Sequence, residues 1–196
     1  MADHLRWGIL GAAKFAREYM APAIHAARGG ALAAIATSSR DKAAPFEAFA
    51  PGLRIFEDYD ALLADPGIDA VYIPLPNAMH VAWSRKAAEA GKHVLCEKPI
   101  AMQAEEIDGL IETRDRTGML IAEAWMVAHH PQYAKARALI EEGALGRIIR
   151  IDSTLSFFND DLDNIRNRPE TGGGALGDIG IYAFGAVRLL TGQEPE

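Results

Sequence analysis

"RWGILGAAKFA", Arg6 to Ala16, is the stretch on which the fold turns. Its apolar opening reads as a strand, Gly11 stands at a tight turn, and the alanines and Lys14 after it begin a helix. Gly8 lies in the strand, Ala13 where backbone must approach closely, and Ala16 inside the helix. Small residues at such places let backbone N–H groups reach a phosphate whose charge is favoured at a helix N-terminus. They also occur wherever a helix packs tightly on a strand, and Ala13 stands where a glycine is usual, which narrows the space without closing it. The position of the turn, after the first strand and opening the first helix, favours the phosphate reading. Gly8, Gly11, Ala13, Lys14 and Phe15 are therefore candidate cofactor-binding residues.

Outward from this turn the chain alternates. Short β-branched or apolar runs at Arg6–Leu10, Leu32–Thr37, Arg54–Phe56, Ala70–Ile73, His93–Cys96 and Leu120–Ala122 predict strands. Alanine-rich stretches at Lys14–Ala27, Lys42–Phe49, Tyr59–Ala64, Asn77–Ala90 and Ala104–Arg116 predict helices. "ARGG", "APG", "ADPG", "EAGK" and "DRTG" fall where helices should stop. Strand and helix in strict alternation predict an α/β fold, a doubly wound parallel sheet of the Rossmann kind. After about Glu123 the pattern changes: a helix in "PQYAKARALIEEGALG", a long strand at Arg147–Phe158, a polar loop, and a last helix at Ala175–Leu190. We expect a nucleotide-binding domain over residues 1–123 and the beginning of an α+β substrate domain over 124–196.

The bulk properties set outer limits. An apolar fraction of 49% with 24% charged residues fits a globular core. A net charge of −7 with scattered basic residues argues against nucleic-acid binding. No apolar run approaches the roughly 18 residues of a membrane helix, and the N-terminus lacks a secretory pattern. One cysteine, Cys96, excludes an internal disulfide and fits a reducing cytoplasm.

The end of the second predicted strand selects among nucleotides. NAD is ordinarily held by an acidic side chain there, whereas "AIATSSRDK" offers Ser39 and Arg40, with Lys42 nearby. A hydroxyl and a guanidinium suit a 2′-phosphate, so NADP is expected ahead of NAD. Arg40 also fits the solvated first turn of a helix, and Asp41 fits a helix cap as well as a ribose contact.

Two further segments, "IPLPNAMH" (Ile73–His80) and "CEKPIA" (Cys96–Ala101), lie at the carboxyl ends of later strands. With the glycine turn, the chain resembles the Gfo/Idh/MocA oxidoreductases along its whole length. "NIRNRPETGGGALGDIGIY", Asn164–Tyr182, is most similar to the branch holding NADP-dependent xylose dehydrogenases, dimeric dihydrodiol dehydrogenases and glucose–fructose oxidoreductase. The resemblance implies hydride transfer between a nicotinamide and a sugar or diol, with a polyol or aldose as substrate, and a homo-oligomer built through the second domain. It implies cofactor contacts from Pro74, Leu75, Asn77, His80, Glu97, Lys98 and Arg166, and a cis Lys98–Pro99 peptide. Asn77 fits a helix cap equally well, and His80 a helix surface. Lys98, Tyr182 and Asp178 are the implied catalytic residues. Tyr182 would be the acid/base; an ordinary tyrosine titrates near 10, and a neighbouring ammonium favours its phenolate. Read without the resemblance, Tyr182 is an aromatic on the apolar helix "IYAFGAVRLL".

Arg168 is a weaker alternative to Arg166. "EAWMVAHHPQ" carries Ala128 where the family has an arginine, and His129 and His130 have no partner at metal-ligand spacing. The "TGGG" run, Thr171–Gly174, looks like a second phosphate cradle but is read as a flexible lead into the helix bearing Asp178 and Tyr182. Family members continue beyond "LLTGQEPE" with a large antiparallel sheet, so the predicted strand at Arg147–Phe158 would stand without neighbours. Two expectations follow: a truncated second domain, either a fragment or one that another chain completes, and, as the alternative to an enzyme, a nucleotide-binding module without turnover.

Overall fold

A computed structural model of the chain describes residues 4–194. Six strands, β1 (Leu5–Leu10), β2 (Gly30–Ala36), β3 (Arg54–Phe56), β4 (Ala70–Ile73), β5 (His93–Glu97) and β6 (Ile121–Ala124), form one sheet in the order β3-β2-β1-β4-β5-β6. Every pairing is parallel. Helices α1 (Ala21–Ala26), α2 (Arg40–Glu47), α3 (Tyr59–Ala64), α4 (His80–Glu89) and α5 (Ala104–Thr117) supply the crossovers. The expected doubly wound α/β sheet is therefore the observed one. Its order reverses between β1 and β4, the point where such sheets hold their ligands.

Alternation along the strands explains why both faces are covered. Ile9, Ile35 and Tyr72 point to a core shared with Ile24 of α1 and Phe46 of α2. Leu10, Ala36, Val71, Ile73 and Val94 point the other way, onto Leu62 and Leu63 of α3 and Ala87 of α4. A parallel sheet buried on both faces needs such continuous apolar runs. Gly8 belongs to this packing: a Cβ there would stand 2.7 Å from Leu62 Cδ2. Helix ends follow their capping residues. Asp58 accepts from the amides of Asp60 and Ala61 at the start of α3, and Gln103 with Glu106 forms a capping box on α5.

The chain divides into two compact units between Ala124 and Trp125. The second contains α6 (Pro131–Glu141) and α7 (Ile181–Thr191). The ring of Trp125 lies where a Cβ on Gly185 of α7 would stand, 2.6 Å from it. The strand expected at Arg147–Phe158 does not form: no residue from 147 to 160 joins a ladder. Its alternating apolar pattern is real, but strand backbone needs a neighbour for its N–H and C=O groups, and no other strand of the described residues lies in this unit. Leu155, Phe157 and Phe158 are left exposed.

Candidate active site

The parallel sheet brings four candidate segments of the first unit to one edge. Gly11, at φ 95°, follows β1 and donates its N–H to Ala36 O at 2.8 Å, closing the turn against β2. Only glycine adopts that backbone without strain. The helix beyond is wound as a π-turn over Ala16–Met20 before α1, a feature that composition does not reveal. Ala13 is half-buried, and Lys14 and Phe15 are exposed beside the turn, with the Phe15 ring 5.1 Å from that of Tyr19. Ser39 is extended and precedes α2; its side chain makes no cap bond, so it does not serve as a helix cap. Arg40 opens α2 two residues earlier than expected and is exposed, and Asp41 lies inside the first turn rather than capping it. The donor set at this edge fits NADP. The glycine turn leads into a helix whose first amides have no intrahelical acceptor, and Ser39 and Arg40 supply a hydroxyl and a guanidinium after β2, groups whose chemistry suits a 2′-phosphate.

The loops after β4 and β5 are tied into the core. Tyr72, fully buried, donates its hydroxyl to Glu97 Oε1 at 2.6 Å. Burial first, and the Glu97 carboxylate second, push that phenol far above its usual range, so Tyr72 remains a neutral donor. Glu123 Oε1 accepts from the Ile100 amide at 2.9 Å. Neither Tyr72 nor Glu123 stood out in the sequence; a tyrosine inside "AVYI" was the one available signal. The Lys98–Pro99 peptide is cis. Pro74 and Asn77 are half-buried, and Asn77 begins a short 3₁₀ turn, Asn77–Met79, that leads into α4.

His80 departs from both of its expected roles. It has no exposed surface, with Nδ1 2.7 Å from Pro99 O and Nε2 2.8 Å from Leu75 O. With both ring nitrogens engaged it neither covers the helix exterior nor offers a polar atom to a ligand. Cys96 is likewise sealed in, its thiol pushed up to about 12 by burial, and is no nucleophile.

In the second unit the glycine run is a packed knot, not a flexible lead and not a cradle. Gly172 N donates to Pro169 O, Gly173 N to Arg168 O and Gly174 N to Arg166 O, at 3.0, 3.1 and 2.9 Å. These three amides are committed to carbonyls. A Cβ on Gly173 would stand 2.6–2.7 Å from the carbonyl oxygens of Ile165, Arg166 and Arg168. The knot opens into a π-turn over Leu176–Gly180 and then α7. It sets Asp178, which is buried, against Arg166, whose Nε donates to Asp178 Oδ2 at 2.8 Å. Arg168 pairs instead with Glu170, so Arg166 is the arginine turned toward the acid. A cavity of about 130 Å³ opens beside this pair, lined also by Phe157, Asn159, Asn167 and Ile179. Tyr182 follows in the first turn of α7 and is half-buried. Ala128 is exposed, and His130 caps α6 by accepting from the Gln132 amide at 3.3 Å.

Comparison with known proteins identifies the family. The Oxidoreductase family, NAD-binding Rossmann fold (Gfo/Idh/MocA), matches residues 5–124, and the GFO/IDH/MocA C-terminal domain matches residues 133–196. The chain belongs to the Gfo/Idh/MocA oxidoreductase family. An uncharacterized oxidoreductase of Rhizobium meliloti is 45% identical over 99% of this chain and 58% of its own length. D-xylose 1-dehydrogenase (NADP(+)) 2 of Haloferax volcanii is 41% identical over 96% of this chain and 58% of its own. The chain thus spans less than two-thirds of these relatives. Among solved structures, a 3-ketoreductase from Actinomadura kijaniata in complex with NADP and TDP-benzene superposes with a TM-score of 0.90 at 35% identity, covering 95% of this chain and 57% of that one. The same ketoreductase has also been solved with a single tyrosine replaced by phenylalanine and with a single lysine replaced by alanine.

Proposed function

We propose that this chain carries the cofactor half and the acid/base arm of an NADP-dependent oxidoreductase acting on a sugar or diol. The observation that carries the reading is the carboxyl edge of the sheet, where the Gly11 turn, Ser39–Arg40, Pro74–Asn77 and Glu97–Lys98 all emerge. Gly11, Ala13, Lys14 and Phe15 would hold the pyrophosphate, with Gly8 packed in the strand beneath them, and Ser39 and Arg40 the 2′-phosphate. Pro74, Leu75 and Asn77 would flank the nucleotide, and Glu97 and Lys98 the nicotinamide ribose. When bound, the nicotinamide supplies the hydride acceptor of oxidation or the hydride donor of reduction. Tyr182 takes the proton of the substrate hydroxyl in one direction and returns it to the carbonyl oxygen in the other. The Lys98 ammonium favours the phenolate that this transfer needs. Asp178 receives substrate hydroxyls, and the guanidinium of Arg166 fixes its orientation. One named relative, a xylose dehydrogenase, supports a sugar substrate.

A second reading is nucleotide binding without turnover, favoured by residues 147 to 160, which join no strand and are mostly exposed. One assay separates the two. Aldoses, vicinal diols and keto-sugars are offered with NADP or NADPH, and nicotinamide absorbance is followed while binding is read by NADPH fluorescence. The enzyme reading expects turnover on at least one polyol or its carbonyl; saturable NADPH binding with no turnover on any of them supports the second.

A further inference from the structure

The loops after β4 and β5 carry Pro74–Asn77 and Glu97–Lys98, and one buried side chain joins them. His80, the first residue of α4, has Nδ1 2.7 Å from Pro99 O and Nε2 2.8 Å from Leu75 O. A carbonyl oxygen accepts and cannot donate. Neutral imidazole carries a single ring hydrogen, so in either tautomer one of these contacts would set two lone pairs against each other. Both are attractive only when both nitrogens carry hydrogen.

The geometry points to His80 as a donor to both loops, cross-tying them as a positioning residue for Lys98. Its place in the set of ties supports this role. Tyr72 holds Glu97 from β4, His80 holds Pro99 from α4, and Glu123 holds Ile100 from β6. Residues on either side of Lys98 are thus anchored from three different elements. His80 also faces the Leu75 carbonyl, so one side chain bridges the β4 loop and the β5 loop. The effect on ligand binding rests on the NADP reading above; the protonation and the cross-tie do not.

The test uses the full chain labelled with ¹⁵N-histidine. His80 is expected to show two slowly exchanging ring N–H correlations in the wild-type protein; one ring N–H beside an unprotonated nitrogen would overturn the cross-tie. His80→Gln keeps a donor on one side and sets an amide oxygen against the other carbonyl. Amide exchange at Lys98 and Ile100 should then quicken, and the NADPH Kd should rise, each by roughly tenfold, the scale of one lost charged hydrogen bond. Unchanged exchange at both amides would overturn the positioning role. A wild-type chain that binds no NADPH would sink the cofactor reading, while ring protonation and amide exchange still decide this one. If His80→Gln fails to fold, the wild-type ring spectrum alone remains decisive.

Discussion

At Tyr182 and Lys98 the proposed chemistry reduces to the transfer of one proton. Positioned acid/base groups contribute roughly 10²–10⁴-fold, so Tyr182→Phe should lower turnover on the best substrate by at least about a hundredfold while leaving NADPH affinity within roughly threefold. Steady-state kinetics with a fluorescence titration checks both halves; turnover within twofold of wild type would remove Tyr182 from the mechanism. Asp69 gives a prediction of another kind. Arg6 donates to it through Nε at 2.8 Å and Nη2 at 2.6 Å, and that hydrogen-bonded pairing first of all lowers the carboxyl to about 2. In the unfolded chain it would titrate near 3.9. The depressed group therefore stabilises the fold above the unfolded value, and that contribution is lost as pH falls from about 4 toward 2. Melting temperature measured across that range should fall less steeply in Asp69→Asn than in the wild type. Some residue-scale features were legible in advance and some were not. Gly11 announced its left-handed turn by standing between a strand and a helix. His80 gave no sign of its burial, because a histidine four residues past a proline looks the same whether its ring faces water or two carbonyls.

At the scale of elements, the strand–turn–helix rhythm was readable because each unit carries its own period, its own stop signal and its own apolar face. The two π-turns were not, since a hydrogen bond lengthened by one residue leaves no mark on composition. Nor was the glycine knot. "TGGG" looks flexible in isolation, and only the return of the chain past Ile165–Arg168 turns its three amides inward. That knot is rigid by construction, and Gly173→Ala tests it. A Cβ pressed on three backbone oxygens cannot be relieved by moving a side chain, so the second unit should lose about 1–3 kcal/mol of stability. Turnover should fall with it. NADPH binding, which the reading assigns to the first unit, should persist. Thermal unfolding followed together with NADPH fluorescence separates these outcomes; a variant with wild-type stability would mean that the knot yields.

For the whole molecule, the exposed apolar side chains matter most. Ile149, Leu155, Phe157, Phe158 and Leu162 are all exposed within a stretch that pairs with no strand. Large apolar side chains left exposed together in one segment are the material of an interaction face. This length of chain should therefore self-associate, and sedimentation should report species above its 21.2 kDa monomer mass; a monodisperse monomer would contradict that. The sequence pointed to this face through an alternating pattern with no neighbour in view. It misled only in promising a strand, because a period of two describes side chains and says nothing about the partner that the backbone requires.

Everything proposed downstream depends on the carboxyl edge of the sheet holding NADP. The most direct measurement is a paired fluorescence titration of the chain with NADPH and NADH, repeated on Arg40→Ala. We predict saturable binding of NADPH, tighter than NADH by roughly tenfold or more, the scale of a charged hydrogen bond to the 2′-phosphate, with that preference largely lost in the variant. No saturable binding of either nucleotide, or equal affinity for both in the wild-type chain, would contradict it.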